Sequence, residues 1–210
     1  MEENNLTSLT KSYESPIQLP LYSRIPKNVR GNLLYRKKVL EAGYSSPEAA
    51  KELWIACKRD PLFWINTFVW TYNPKMIPLC TTRPMITYEF QDNALWKTIC
   101  CVVNQLDLHI EKSREMTATW NLLMVYLWFA QFHNGMSFRI CSRNADLVDS
   151  TEDPDALFNK IDFMLENQPD WLINKLQYNR TNMHLYFYET ESGIDGSSTT
   201  SDVSRGGRTT

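Results

Sequence analysis

LDLHIEKSREMTATWN, residues 106–121, decides how this chain reads. Leu106 to Ile110 form a short apolar run of the kind that makes a buried strand. Trp120 opens a long apolar helical pattern that continues as NLLMVYLWFAQF. Between them Lys112, Ser113, Arg114, Glu115, Met116, Thr117, Ala118 and Thr119 make a polar loop. A polar loop leading from a buried strand into a helix N-terminus is where α/β proteins hold phosphate. The pattern GxxxxGK[ST] is absent, because no glycine stands between Gly43 and Gly135.

Working outward, 210 residues are enough for one large domain or one and a half smaller ones. With 43% hydrophobic and 12% aromatic residues, the chain reads as globular. Twenty-two cations against 24 anions give a net charge of -2, so any nucleic-acid contact is expected to be local. Cys57, Cys80, Cys100, Cys101 and Cys141 have no CxxC spacing, and with three scattered histidines they suggest neither a zinc site nor a disulfide framework. The N-terminus has no apolar signal region. The longest apolar run, Leu122 to Ala130, is about half a membrane span. A reduced, cytoplasmic protein with no membrane contact is the expectation.

In chain order, residues 1–24 are polar, interrupted by Pro16 and Pro20, and read as an arm. Residues 25–70 read as a helical element. Within it Asn28–Ala42 suits a basic amphipathic helix ended by Gly43. Ser45 is the expected cap of the next helix, with Pro47 in its first turn and Glu48 three positions on. Asp60-Pro61 starts a third helix through LFWINTFVW. Residues 71–88, with Pro74, Pro78 and Pro84, read as a long connection, and residues 91–103 as a helix. After the opening stretch, residues 136–142 and 183–189 alternate as strands around a helix at about 154–167. The glycine- and serine-rich residues 191–210 read as a flexible loop or tail. Strand, helix, strand, helix, strand is the pattern of a parallel α/β sheet.

A triphosphate needs backbone N–H groups, a helix N-terminus and a cation, and its Mg2+ needs a Ser or Thr hydroxyl. Thr119 stands where that hydroxyl belongs, and Lys112 and Arg114 are the candidate cations. EKSREMTATW resembles the lysine-first variant Walker A motif of phage terminase large subunits, of the form KSRxMGxT, except that Thr117 replaces the glycine. Thr87-Tyr88-Glu89-Phe90-Gln91 looks like that family's adenine-recognition segment. Ser142 to Asp149 is similar to its SRxxxLVD segment. Gly193-Ile194-Asp195-Gly196 followed by Arg205-Gly206-Gly207-Arg208 resembles the stretch before its Walker B strand. The resemblance spans roughly residues 55–210.

It implies a P-loop NTPase-type parallel sheet with flanking helices, preceded by the helical element, over 71–210. It also implies an ATP site: Gln91 for adenine, Lys112 to Ala118 for the phosphates, Thr119 for Mg2+, and Arg205 or Arg208 reaching a phosphate. The partners implied are double-stranded viral DNA, a terminase small subunit, a portal protein and further copies of the chain, in the host cytoplasm. The family's Walker B acids and nuclease domain have no counterpart in the 210 residues. The chain is therefore expected to be a truncated part of a DNA-packaging hydrolase, incomplete as a sheet and without appreciable turnover. The competing readings are a non-catalytic remnant that keeps the helical element as a docking module, and a helicase-like ATPase. Gln91 upstream and the arginines downstream favour the terminase.

Overall fold

A computed structural model of the chain describes residues 10–11, 13–73, 81–113, 116–173 and 178–199. It divides into two compact units, one made of residues 1–69 with 84–125 and the other of 70–83 with 126–210. The Lys112–Thr119 loop thus belongs with the N-terminal helices, whereas the sequence places it with the sheet.

The first unit holds α1 (Val29–Ser45), α2 (Pro47–Arg59), α3 (Pro61–Phe68), α4 (Glu89–Val103) and the start of α5 (Ala118–Phe132). Their starts follow from capping chemistry. Asn28 accepts from Gly31 N, Ser46 from Ala49 N and Asp60 from Phe63 N, while Pro47 and Pro61 occupy first-turn positions where a missing N–H costs nothing. Ser46, not Ser45, is therefore the cap. Gly43 lies buried inside α1 and does not end it. All eight residues of α3 are buried, and Phe63 and Phe68 meet edge to face at 5.9 Å. Upstream, the described residues of the expected arm belong to this unit. Pro16–Gln18 and Tyr22–Arg24 form 3-10 turns, and Leu19 and Ile25 are buried.

Asp60 adds a pH dependence. Burial pushes its carboxyl up to about 6, against the opposing N–H bonds from Phe63, Leu21 and Leu62 and the charge of Lys27. Between about pH 4 and 6 the native state keeps a proton that the unfolded chain has lost, so stability falls as pH rises through that window. A shift of this size corresponds to roughly 3 kcal/mol, constant above pH 6. The stability difference between wild type and Asp60→Asn, measured by urea unfolding at pH 4 to 7, is expected to trace this fall. A pH-independent difference would overturn it.

The second unit holds a four-stranded mixed sheet in the order β3-β6-β5-β4: β3 (Ser137–Ser142), β4 (Tyr178–Thr181), β5 (His184–Phe187) and β6 (Ser192–Ser198). β3 and β6 run parallel, with Phe138 opposite Ile194, while β5 is antiparallel to both β4 and β6. The expected all-parallel sheet is thus corrected to one with a single parallel pair among the described strands. The expected strand at 183–189 shortens to β5, and β4 joins it as a hairpin. Phe138, Ile140, Leu185, Phe187 and Ile194 are buried; β6 meets Val148 of α6 (Ala145–Val148) and Phe158 of α7 (Leu157–Glu166) at Gly196. The connection at 71–88 carries two short paired strands, β1 (Trp70–Tyr72) and β2 (Thr82–Pro84). β1 meets α7 through Tyr72 and Phe163 at 6.0 Å.

The largest correction concerns residues 191–210. The part read as a flexible tail contains β6, which lies between β3 and β5; residues 200–210 lie outside the described residues. Its serines are structural. Ser192 donates to the His133 carbonyl at 2.7 Å, and Thr190, just before the strand, to that of Ala130 at 2.6 Å, so together they tie down carbonyls at the C-terminal end of α5. Gly135, at φ +72, lets the chain turn off that helix.

The other large correction is at the opening stretch. Leu106, Leu108 and Ile110 are 63%, 37% and 40% exposed, and residues 106–113 are irregular. Alternating apolar residues become a strand only where an edge offers them backbone partners, and no described strand pairs with this one. No helix among the described residues is long and apolar enough to cross a membrane.

Candidate functional site

Two segments meet before α4 and α5. Tyr88 precedes α4, and its backbone N–H donates to Gln91 Oε1 at 2.9 Å, which fixes one end of the Gln91 carboxamide. The other end, Nε2, donates to Thr117 Oγ1 at 2.5 Å. The Thr117 hydroxyl in turn donates to the Met116 carbonyl at 2.7 Å. Gln91 is 5% exposed. The residues assigned to adenine and to the phosphate loop are thus in direct contact.

Thr117 has φ +55, the left-handed region that favours glycine and that a β-branched residue enters at a cost of about 1–3 kcal/mol. This is the position where the Walker-type pattern carries glycine. Immediately afterwards α5 begins, with Asn121 N donating to the Thr117 carbonyl at 3.0 Å. The amides of Ala118 and Thr119 come before that first helical bond, at the positive end of a 15-residue helix. Lys112, Ser113, Met116 and Thr119 are exposed, and Ala118 is half-buried. Arg114, Glu115, Arg205 and Arg208 lie outside the described residues. Just before Gln91 in sequence, the exposed rings of Tyr88 and Phe90 stand parallel, 5.8 Å apart.

Beneath α4 lies a polar cluster that the sequence did not reveal. Asp92 is fully buried. It accepts from Lys27 Nζ at 3.0 Å, from the Tyr22 hydroxyl at 2.9 Å and from the Thr87 hydroxyl. Lys27 also reaches Thr87 Oγ1 at 2.9 Å and Asn66 Oδ1 at 3.3 Å. Burial and the Asp92 hydrogen bond push the Tyr22 phenol to about 12, so it remains a donor. Arg36, 2% exposed, donates to Asn32 Oδ1 and the Met85 carbonyl, and burial lowers it to about 9. Tyr22 and Lys27 grip the residues on both sides of the Tyr88–Gln91 segment and so hold α4's N-terminus in place. Nothing in the local pattern signals this, because Tyr22 and Lys27 lie more than sixty positions upstream of Asp92.

In the second unit, Ser142–Asp149 ends β3 and forms α6. Arg180 binds Asp149 at 2.9 Å and Asp162 at 2.9 Å, with its guanidinium 4.5 Å from the centre of the Phe158 ring. Burial works to raise Asp149, but the Arg180 bonds and the Met183 N–H outweigh it and hold the carboxyl below its usual range. This segment is therefore a structural clasp. Gly193–Gly196 lies in β6, with Asp195 Oδ1 2.7 Å from His184 Nδ1.

Among the described residues, no group of three or more His, Cys, Asp or Glu is placed to hold a metal ion. Thr119 offers a hydroxyl at the helix start, the type of ligand that a phosphate-bound Mg2+ takes alongside phosphate oxygens and water. Compared with protein-family models and with curated proteins, the chain matches none of them.

Proposed function

We propose that this chain binds a purine nucleoside triphosphate through residues 88–91 and 112–119, as part of a DNA-packaging ATPase of the phage terminase type. The observation that carries the reading is the meeting of Gln91 with Thr117, the latter in the left-handed conformation at the glycine position. A resemblance drawn from two segments 26 residues apart joins them at one hydrogen bond. In this reading the P-loop-type fold is completed around the nucleotide. Lys112 neutralises phosphate charge, the amides at the start of α5 receive phosphate oxygens, and Gln91 reads the base. Thr119 would hold Mg2+, which supplies charge neutralisation across the phosphates when bound. Arg205 or Arg208 would add a further phosphate contact. The partners of such a motor are double-stranded viral DNA, a small subunit, a portal and further copies of the chain, in the host cytoplasm.

A second reading, a non-catalytic docking module, draws on the exposed apolar residues Leu106, Leu108 and Ile110. Calorimetry separates the two. Mg·ATP is expected to bind the chain saturably, and Lys112→Ala to weaken it about tenfold or more, since a charge-assisted contact contributes roughly 1.5–3 kcal/mol. Absent or Lys112-independent binding rejects the nucleotide site and leaves the docking module.

A further inference from the structure

We infer that the Thr117 hydroxyl is a latch on Gln91, which a base must displace to reach the carboxamide; the inference rests on the nucleotide reading above. A carboxamide reads an adenine edge by offering a donor and an acceptor side by side. Here Oε1 accepts from Tyr88 N, Nε2 donates to Thr117, and the group is 5% exposed. Each end of the carboxamide is already engaged in this buried group, so a base gains the edge when Thr117 moves off it.

The latch has two opposed parts. The left-handed backbone of Thr117 strains the closed loop, and the two hydroxyl bonds, to Gln91 and to the Met116 carbonyl, hold it closed. Breaking the Gln91 bond removes half of that hold, and the strain then favours departure. Such an element has two arrangements, and a ligand biases it only by binding one of them better. A base at Gln91 competes directly with the hydroxyl. Phosphate on the same loop has no differential contact with the latch unless a base is attached. Base recognition is thereby tied to the state of the phosphate loop through a residue that a glycine could not replace in this role.

Three chains test it by calorimetry: wild type, Thr117→Ala and Thr117→Ser, each with Mg·ATP and with inorganic tripolyphosphate, which lacks a base. Serine keeps the hydroxyl without β-branching, so it separates the latch from relief of backbone strain. Thr117→Ala is expected to bind Mg·ATP about fivefold more tightly than wild type, the equivalent of one net hydrogen bond. Thr117→Ser is expected to match wild type, and tripolyphosphate to bind all three alike. In ¹⁵N-labelled protein the Gln91 side-chain amide signals should shift on adding ATP to wild type and not on adding tripolyphosphate. Equal affinity of the alanine and serine variants for ATP, or an equal gain for tripolyphosphate, would overturn the latch while leaving the site intact. If none of the three chains binds ATP, the nucleotide reading fails and takes the latch with it.

Discussion

Lys27→Met is expected to destabilise the first unit by about 3 kcal/mol, the lower end of the range for stripping a buried ion of its partner. Asp92 is fully buried, and among the described residues Lys27 is the one cation bonded to it. Without the ammonium, Tyr22 and Thr87 still donate to the carboxylate, but its buried charge loses the counter-ion that Lys27 supplies. The lower end applies because the lysine side chain is 33% exposed and water already screens part of the attraction. Asn66 and Thr87 also lose a donor. Urea unfolding of Lys27→Met, Asp92→Asn and the double variant measures the effect. The double variant should recover much of the loss, because an amide in the Asp92 position carries no charge to strand. A Lys27→Met chain within about 0.5 kcal/mol of wild type, the range of ordinary surface changes, would show that the pair is not the determinant.

Gly196→Ala is expected to cost the second unit about 2–3 kcal/mol, the upper part of the range for overpacking a dense core. A Cβ at this position would lie 2.6 Å from Val148 Cγ1, 2.7 Å from Phe158 Cε2 and 3.1 Å from Met183 Cβ. Val148 and Phe158 are fully buried, valine has little rotamer freedom, and β6 is held on both sides by β3 and β5. The strand has no direction in which to give. Shortening the ring with Phe158→Leu makes room, so the double variant should be less destabilised than the sum of the singles by about 1 kcal/mol. Denaturant unfolding of the four chains yields that coupling directly. Strict additivity would mean that the strand accommodates the methyl elsewhere.

Much of this fold was legible where local chemistry dictates it. Proline and a capping side chain mark the starts of α2 and α3. The unbroken apolar surface of α5 announces a buried helix, and the alternation of SFRICS announces β3. β6 was not legible, because SGIDGSS has a composition that ordinarily stays solvated. It becomes a strand because its small residues fit between two neighbours, Gly196 under a phenyl ring and Ser192 against a helix end. Residues 106–110 fail in the opposite direction: their pattern is that of a strand, and no partner edge receives them. At the candidate site, the family-like spacing pointed to Gln91 and Thr117, yet not to their direct bond. The Asp92 cluster was out of reach, since Tyr22 lies 70 positions and Lys27 65 positions from it. Contacts that distant leave no trace in periodicity.

The parallel pairing of β3 with β6 also sets the order of folding. Residues such as Cys141 and Ser197, 56 positions apart, can meet only after the intervening helices and hairpin have formed or collapsed, so this step should be slow relative to helix formation. Until then β3 waits with an unpaired edge carrying Phe138 and Ile140, a surface open to association with other molecules. The strand that eventually covers it is rich in serine and glycine and carries one large apolar residue, Ile194. Such a segment has little tendency to self-associate while it waits. Of the two strands in this pair, the aggregation hazard therefore falls on β3, and crowding during synthesis should act on it before it acts on β6.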